Sequence, residues 1–263
     1  MLQPNTIPDN EPILRVGIVL PEDNKNTLSM VLPGQPAYQI TSGSQTRDQY
    51  QLHELTFTRD GDKIRLGDSE AATSWRIAPA ETFVIGPEKG ILVREVIAGR
   101  GFHWQKPVEV FLPGALEVQI HEGYLTLTNE LPLEEYLMCV ATSEMGAACP
   151  AALIESQTIA ARSWMLANIE QKHVHMGMDV CNDDCCQRYQ GTGNLSVHAM
   201  AGARNSCGQV VLYDQKICDA RYSKSCGGMM ETFDTIWGGK NLPYLQNRPD
   251  AESGLTTVIP DLT

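Results

Sequence analysis

The chain has 263 residues, 42% hydrophobic and 20% charged, with 20 Lys and Arg against 32 Asp and Glu and a net charge of -12. That length suffices for one large domain or two modest ones with a real core. The acidic balance excludes sequence-independent binding of nucleic acid, which sets Lys and Arg against phosphates. No run of about eighteen apolar residues occurs, so no segment reads as membrane-spanning.

Residues 1–12, MLQPNTIPDNEP, are polar and proline-rich, with neither an apolar core nor a basic flank. They read as a disordered or processed tail and not as an intact signal peptide. From 13 to 105 the pattern is one of short strands: ILRVGIVL, AYQIT, LHELTFTR, KIRLG, TFVIG and GILVREVIA, punctuated by PED, PGQP, RDGD and PEKG. Alternation and β-branched residues favour antiparallel sheet, and Asp60 with Gly61 suits a hairpin turn. This region carries no catalytic constellation and is expected to be a β-rich accessory subdomain. Trp75, His103 and Trp104 are candidates for a sugar-stacking platform, set against the commoner role of such aromatics as core. The strands VEVFLPG, LEVQIHEG and YLTLTN then lead into the first helix. The expected fold is therefore α+β, a helical catalytic core packed on antiparallel sheet over 106–263, with the N-terminal β-rich subdomain attached.

Pro132 is a natural first helical residue, with Glu134 and Glu135 in the first turn, where negative charge complements the helix dipole. Leu133, Leu137, Val140 and Ala141 recur at helical spacing, and Gly146 ends the run. Pro150 opens a second helix, from 151 to about 172, with Ile154, Ala161, Trp164, Met165, Asn168 and Ile169 on one side and Arg162 on an adjoining face. The short connection makes the two helices pack closely, so Glu144 can look into a cleft. Apolar neighbours such as Met145 would desolvate it and raise its pKa, as general acid chemistry requires. The competing reading is a helix-end carboxylate in solvent.

Eight cysteines occur. Cys139 lies in an apolar helical setting and reads as a buried thiol. Cys181, Cys185 and Cys186 have ligand-like spacing, with His173 or His175 as a fourth ligand; a Cys181–Cys186 bridge, or one from this loop to Cys226, is the alternative. Beyond them, 195–203 reads as a helix, and 210–213 with 217–222 as two strands joined at Asp214 and Gln215. Small residues from 225 to 228 let backbone amides approach a ligand, or simply make a tight turn. Cys226 has no evident His partner for nucleophilic chemistry. Trp237 and Tyr244 are candidates to wall the cleft.

Five segments in order, LPLEEYLMCVATSEM, PAALIESQTIAARSW, DVCNDDCCQRYQG, ARYSKSCGG and WGGKNLPYL, together resemble the SpoIID/LytB family of bacterial peptidoglycan-remodelling proteins. The resemblance runs over residues 108–250. It implies a lytic transglycosylase that cleaves between N-acetylmuramic acid and N-acetylglucosamine, leaves a 1,6-anhydro sugar and prefers peptide-free glycan, a polymer neutral enough for a chain of this charge. It assigns the acid to Glu144 and substrate binding to Arg162, Tyr222, Ser223, Lys224, Ser225, Gly227 and Gly228. One carboxylate suffices if the sugar's own C6 hydroxyl is the nucleophile, whereas ordinary glycosidases need two. A salt bridge between helices is the competing role for Arg162. The resemblance also implies a structural zinc on Cys181, Cys185 and Cys186, although Cys185 stands where the family has His; no cofactor is required for the chemistry. The implied setting is extracytoplasmic, with a leader absent from this chain and glycan strands as partner. LytB-like members suggest the alternative, a non-catalytic glycan-binding enhancer of a wall amidase.

Overall fold

The computed structural model describes residues 1–43, 45–50 (backbone only), 53–69, 71–223 and 225–250. In chain order the strands of the first half are β1 (Ile13–Val19), β2 (Thr27–Val31), β3 (Tyr38–Ser42), β4 (Gln45–Tyr50), β5 (Glu54–Asp60), β6 (Lys63–Leu66), β7 (Trp75–Pro79) and β8 (Ile91–Ala98). They continue as β9 (Lys106–Leu112), β10 (Ala115–His121) and β11 (Tyr124–Pro132). Then come α1 (Leu133–Met145), α2 (Ala151–Ala167), β12 (Val180–Cys181), α3 (Val197–Asn205), the hairpin β13 (Leu212–Tyr213) and β14 (Lys216–Ile217), and after a short strand α4 (Phe233–Trp237). The fold is α+β. One sheet runs β12-β1-β11-β10-β7-β3-β4 and the other β6-β5-β2-β8-β9; β12 lies parallel to β1.

Alternation places Ile40, Ile77, Leu116, Val118 and Leu127 of the first sheet and Met30, Phe57, Val93 and Val110 of the second in one continuous core with the helices. Trp75 belongs to this core, its ring tilted against Phe57 and its indole N–H donating to the Ile64 carbonyl. The structure thus removes it from any sugar platform. The expected division at 105/106 falls between β8 and β9, which are hydrogen-bonded neighbours, while β1 pairs with β11. Strands from both sides of that point therefore share both sheets. The run TFVIG is not a strand: after Ala80 bonds to Ala37 the chain leaves the sheet and tucks in Ile85, with Val84 exposed. β2 and β7 take places that the sequence reading left empty.

The first twelve residues are tied down, which corrects the expectation of a loose tail. The Pro12 carbonyl and the Glu11 carboxylate accept the N–H groups of Leu133 and Glu134, two of the orphan donors at the start of α1. Asn5 N–H donates to the Leu166 and Ala167 carbonyls at the end of α2. That helix stops at Ala167 and not near 172, because Asn168 turns left-handed (φ 44°) and donates its side-chain amide to the Leu2 carbonyl. Among the described residues no helix is long and apolar enough to cross a membrane.

Candidate active site

Glu144 is the penultimate residue of α1, just before Gly146 (φ 90°) breaks the helix. The segment 187–190 lies across this helix end, with Gln190 N–H donating to Ser143 Oγ at 3.1 Å and Arg188 N–H to Glu144 Oε1 at 2.8 Å. The Tyr222 hydroxyl reaches the same oxygen at 3.3 Å. Burial pushes the Glu144 carboxyl above its usual range and Asp184 adds to this, against the Arg188 amide and the Tyr222 hydroxyl, which favour the charged form. The net shift is upward, toward a carboxyl that keeps its proton. Among the described residues Oε2 has no hydrogen-bond partner, so it is the oxygen free to present that proton.

Glu144 opens into a cleft of about 410 Å³, lined also by Trp164, Asp184, Gln187, Arg221, Tyr222 and Trp237. Its size is that of a small-ligand site, and its lining mixes aromatic faces with converging polar groups. Beneath it, buried Gln187 accepts from the Tyr136 hydroxyl and donates to the Ala161 carbonyl. Tyr136 stacks on Tyr189, whose hydroxyl donates to Asn129 at 2.7 Å. The carboxyl is thereby seated on a fully buried polar row.

Arg221 was not anticipated. It pairs with Asp219 at 2.9 Å and Glu170 at 3.0 Å, and its guanidinium lies over the rings of Trp237, Phe233 and Trp164 at 5.1, 5.6 and 6.0 Å. Its only sequence signal is adjacency to Tyr222. Gln187 and Arg188, which follow the cysteine cluster directly, and Asp184, which lies within it, were missed as well, and only that position marks them.

Arg162, by contrast, is not in the cleft. It is 1% exposed and binds Glu134 of α1 through Nε and Nη2 at 2.8 and 2.5 Å, with the Gln209 carbonyl on Nη1. This corrects its assignment to substrate: it is the salt bridge between helices. Ser223, Ser225, Gly227 and Gly228 are exposed, the two glycines in a turn, and none of the four lines the cleft, whereas Tyr222 does. Positive φ values of 68° and 94°, with open space where a Cβ would sit, account for the two glycines. Lys224 lies outside the described residues. Tyr244 reaches the site indirectly, accepting from Asp219 N–H.

Cys181, on the edge strand β12, meets Cys185 and Cys186 after the turn at Asp183, and His173 approaches from the loop after α2. One donor atom from each lies within 4.8 Å of the others. His175 is not part of this group. All eight cysteines are free thiols, and the Cys181 and Cys185 sulfurs stand 3.1 Å apart, too far for a disulfide. Donation from Cys181 and Cys186 pushes the Cys185 thiol down, toward the ligating thiolate. Tetrahedral zinc with three thiolates and an imidazole separates its sulfur ligands by about 3.8 Å, so small side-chain adjustments let this donor set fit that ion.

Fold and site together define an α+β protein with a half-buried carboxylic acid at a helix end, a polar and aromatic cleft, and a thiol-rich cluster at the cleft's rim. Residues 121–213 match the family model described as SpoIID, stage II sporulation protein. The match is consistent with assignment to the SpoIID/LytB family and supports a cell-wall-related role. It includes Glu144 and the cysteine cluster, while Arg221 and Tyr222 lie beyond it. An uncharacterized protein of Brachyspira hyodysenteriae is 24% identical over 132 residues, 50% of this chain and 36% of that relative. The chain therefore spans little more than a third of the curated relative that it matches.

Proposed function

We propose that the protein is a peptidoglycan lytic transglycosylase that acts on peptide-free glycan in an extracytoplasmic setting, with Glu144 as its acid and base. The observation that carries this reading is the position of Glu144: a carboxyl pushed above its ordinary pKa range by burial, with one oxygen anchored and the other open to a sugar-sized cleft. Glu144 gives its proton to the glycosidic oxygen as the bond to C1 of N-acetylmuramic acid breaks. The carboxylate so formed takes the proton of that sugar's C6 hydroxyl, and the C6 oxygen closes on C1 to give the 1,6-anhydro ring. No water is consumed. The Arg188 amide and the Tyr222 hydroxyl hold the carboxyl in place and stabilise its charged form between the two transfers.

Cys181, Cys185, Cys186 and His173 are the residues that would hold a zinc ion, which when bound supplies a covalent-strength tie between the 173 loop and the 181–186 turn. None of the proton transfers passes through it.

Asp184 gives the cleft a second carboxyl group, and a pair of carboxyls is what a hydrolase uses. Mass spectrometry of the products from peptide-free strands and intact peptidoglycan, with the parent protein and with Glu144→Gln, separates these chemistries. Anhydro-ended fragments from the parent, lost by at least a hundredfold in the variant, are expected. Fragments with free reducing ends would move the assignment to hydrolysis. Binding of strands with no cleavage would move it to the amidase-enhancing role.

A further inference from the structure

One loop of the first half has no part in the site as described, yet it touches it. Residues 99–105 connect β8 to β9, and Phe102 at their tip is 49% exposed. Phe102 stacks on Trp104 at 5.7 Å with the rings 19° apart. The guanidinium of Arg188 lies 5.3 Å from the centre of the Trp104 ring. Arg188 is the residue whose backbone N–H holds Glu144, so a single residue joins the aromatic pair to the acid.

The loop is firmly anchored. Gly99 and Arg100 both donate their backbone N–H groups to the Asp183 carboxylate, at 3.0 and 2.6 Å. The Arg100 side chain, 10% exposed, pairs with Asp23 at 2.7 Å and donates to Asn182 and to the Ile18 carbonyl. Trp104 lies so close over Gly99 that a Cβ there would come within 2.4 Å of the ring. Asp183 is itself in the turn that carries the cysteines. The loop and the 181–190 segment therefore form one braced unit, and the exposed face of Phe102 is presented from it at a fixed place. A large aromatic kept in solvent on a rigid support contributes little to the core and is what a recognition surface requires.

We propose that Phe102, Trp104 and Arg188 form an outer glycan subsite, taking a sugar further along the same strand whose bond is presented to Glu144. This rests on the transglycosylase reading and extends it. The chemistry is that of a pyranose: its C–H face stacks on the Phe102 ring, and its hydroxyl or acetamide oxygens accept from Nη1 of Arg188, whose Nε and Nη2 face the Gln190 side-chain oxygen at 3.2 and 3.1 Å and which is in no ion pair among the described residues. A neutral or weakly charged polymer suits this ledge better than an anionic one, since the whole chain carries a net charge of -12. The occupant is thus a polysaccharide strand long enough to reach from the cleft to the ledge.

The test measures binding of peptide-free glycan strands of graded length to the cleavage-silenced Glu144→Gln protein, with and without Phe102→Ala. Phe102→Ala is expected to weaken binding of long strands about three- to tenfold, to leave the shortest bound oligomer unaffected and to leave the melting temperature unchanged. Phe102→Trp should restore the long-strand affinity. Equal affinity of both proteins for long strands would overturn the subsite while leaving the function of Glu144 intact. An equal loss for short and long oligomers would also overturn it, because the residue would then be acting on the cleft. If neither protein binds any strand, both the subsite and the transglycosylase reading fall.

Discussion

The helix pair beside the cleft and the cleft's outer wall are built differently, and their two arginines show how. Away from the cleft, Arg162 is buried between α1 and α2 and holds Glu134, Ser206 and the Gln209 carbonyl. In the wall, Arg221 lies at the cleft surface between aromatic rings, and α4, which supplies two of those rings, has no buried residue. Arg221 Nη1 has no hydrogen-bond partner among the described residues. A cation whose three nitrogens are all engaged inside supports the fold, while one propped at an edge with a nitrogen to spare can meet a ligand.

The largest effect should fall on the helix pair. Arg162→Ala leaves the mostly buried Glu134 carboxylate unpaired and is expected to cost about 3–5 kcal/mol in urea denaturation, with cleavage per folded molecule retained. Intact stability with lost cleavage would reverse the contrast and return Arg162 to the substrate. The rim comes next. Chelation of zinc, or Cys181→Ser, should lower the melting temperature by roughly 5–15 °C, with one zinc per chain in the untreated protein by elemental analysis. An unchanged transition in a metal-free protein would leave the cluster as thiols alone. The smallest effect belongs to the wall, with Tyr222→Phe. Its hydroxyl donates to the charged form of Glu144, so its loss raises a carboxyl pKa already raised by burial. The alkaline limb of the pH–rate profile, where the acid loses its proton, should move upward by about one pH unit or less. A downward move would show that the hydroxyl acts on the neutral carboxyl instead.

How much of this was legible in the sequence depends on how far each residue's partners lie along the chain. Pro132 and Gly146 bracket α1 by local rules, so Glu144 could be placed at a helix end from sequence alone. The end of α2 could not, because its helical period continues through Ile169 while the partner of Asn168 is Leu2, 166 residues away. The family pattern pointed Arg162 at substrate, yet its fate was decided by Glu134 on the neighbouring helix. Cysteine spacing marked three ligands of the cluster, and only the loop path after α2 chose His173 over His175. Trp75 and Trp104 looked alike as aromatics in a β-rich stretch; a central strand buried one and a braced loop displayed the other. Arg221 had no readable pattern, since Glu170 and Trp237 reach it from separate elements.

The tie between the opening residues and the helices has a kinetic side. Leu2 N–H is held by Asp179, 177 residues away, and the ends of α1 and α2 are satisfied by residues 2 to 12. Such contacts form only after long loops have closed, which slows folding. The helix that carries Glu144 has the first of its free backbone donors satisfied by the earliest part of the chain.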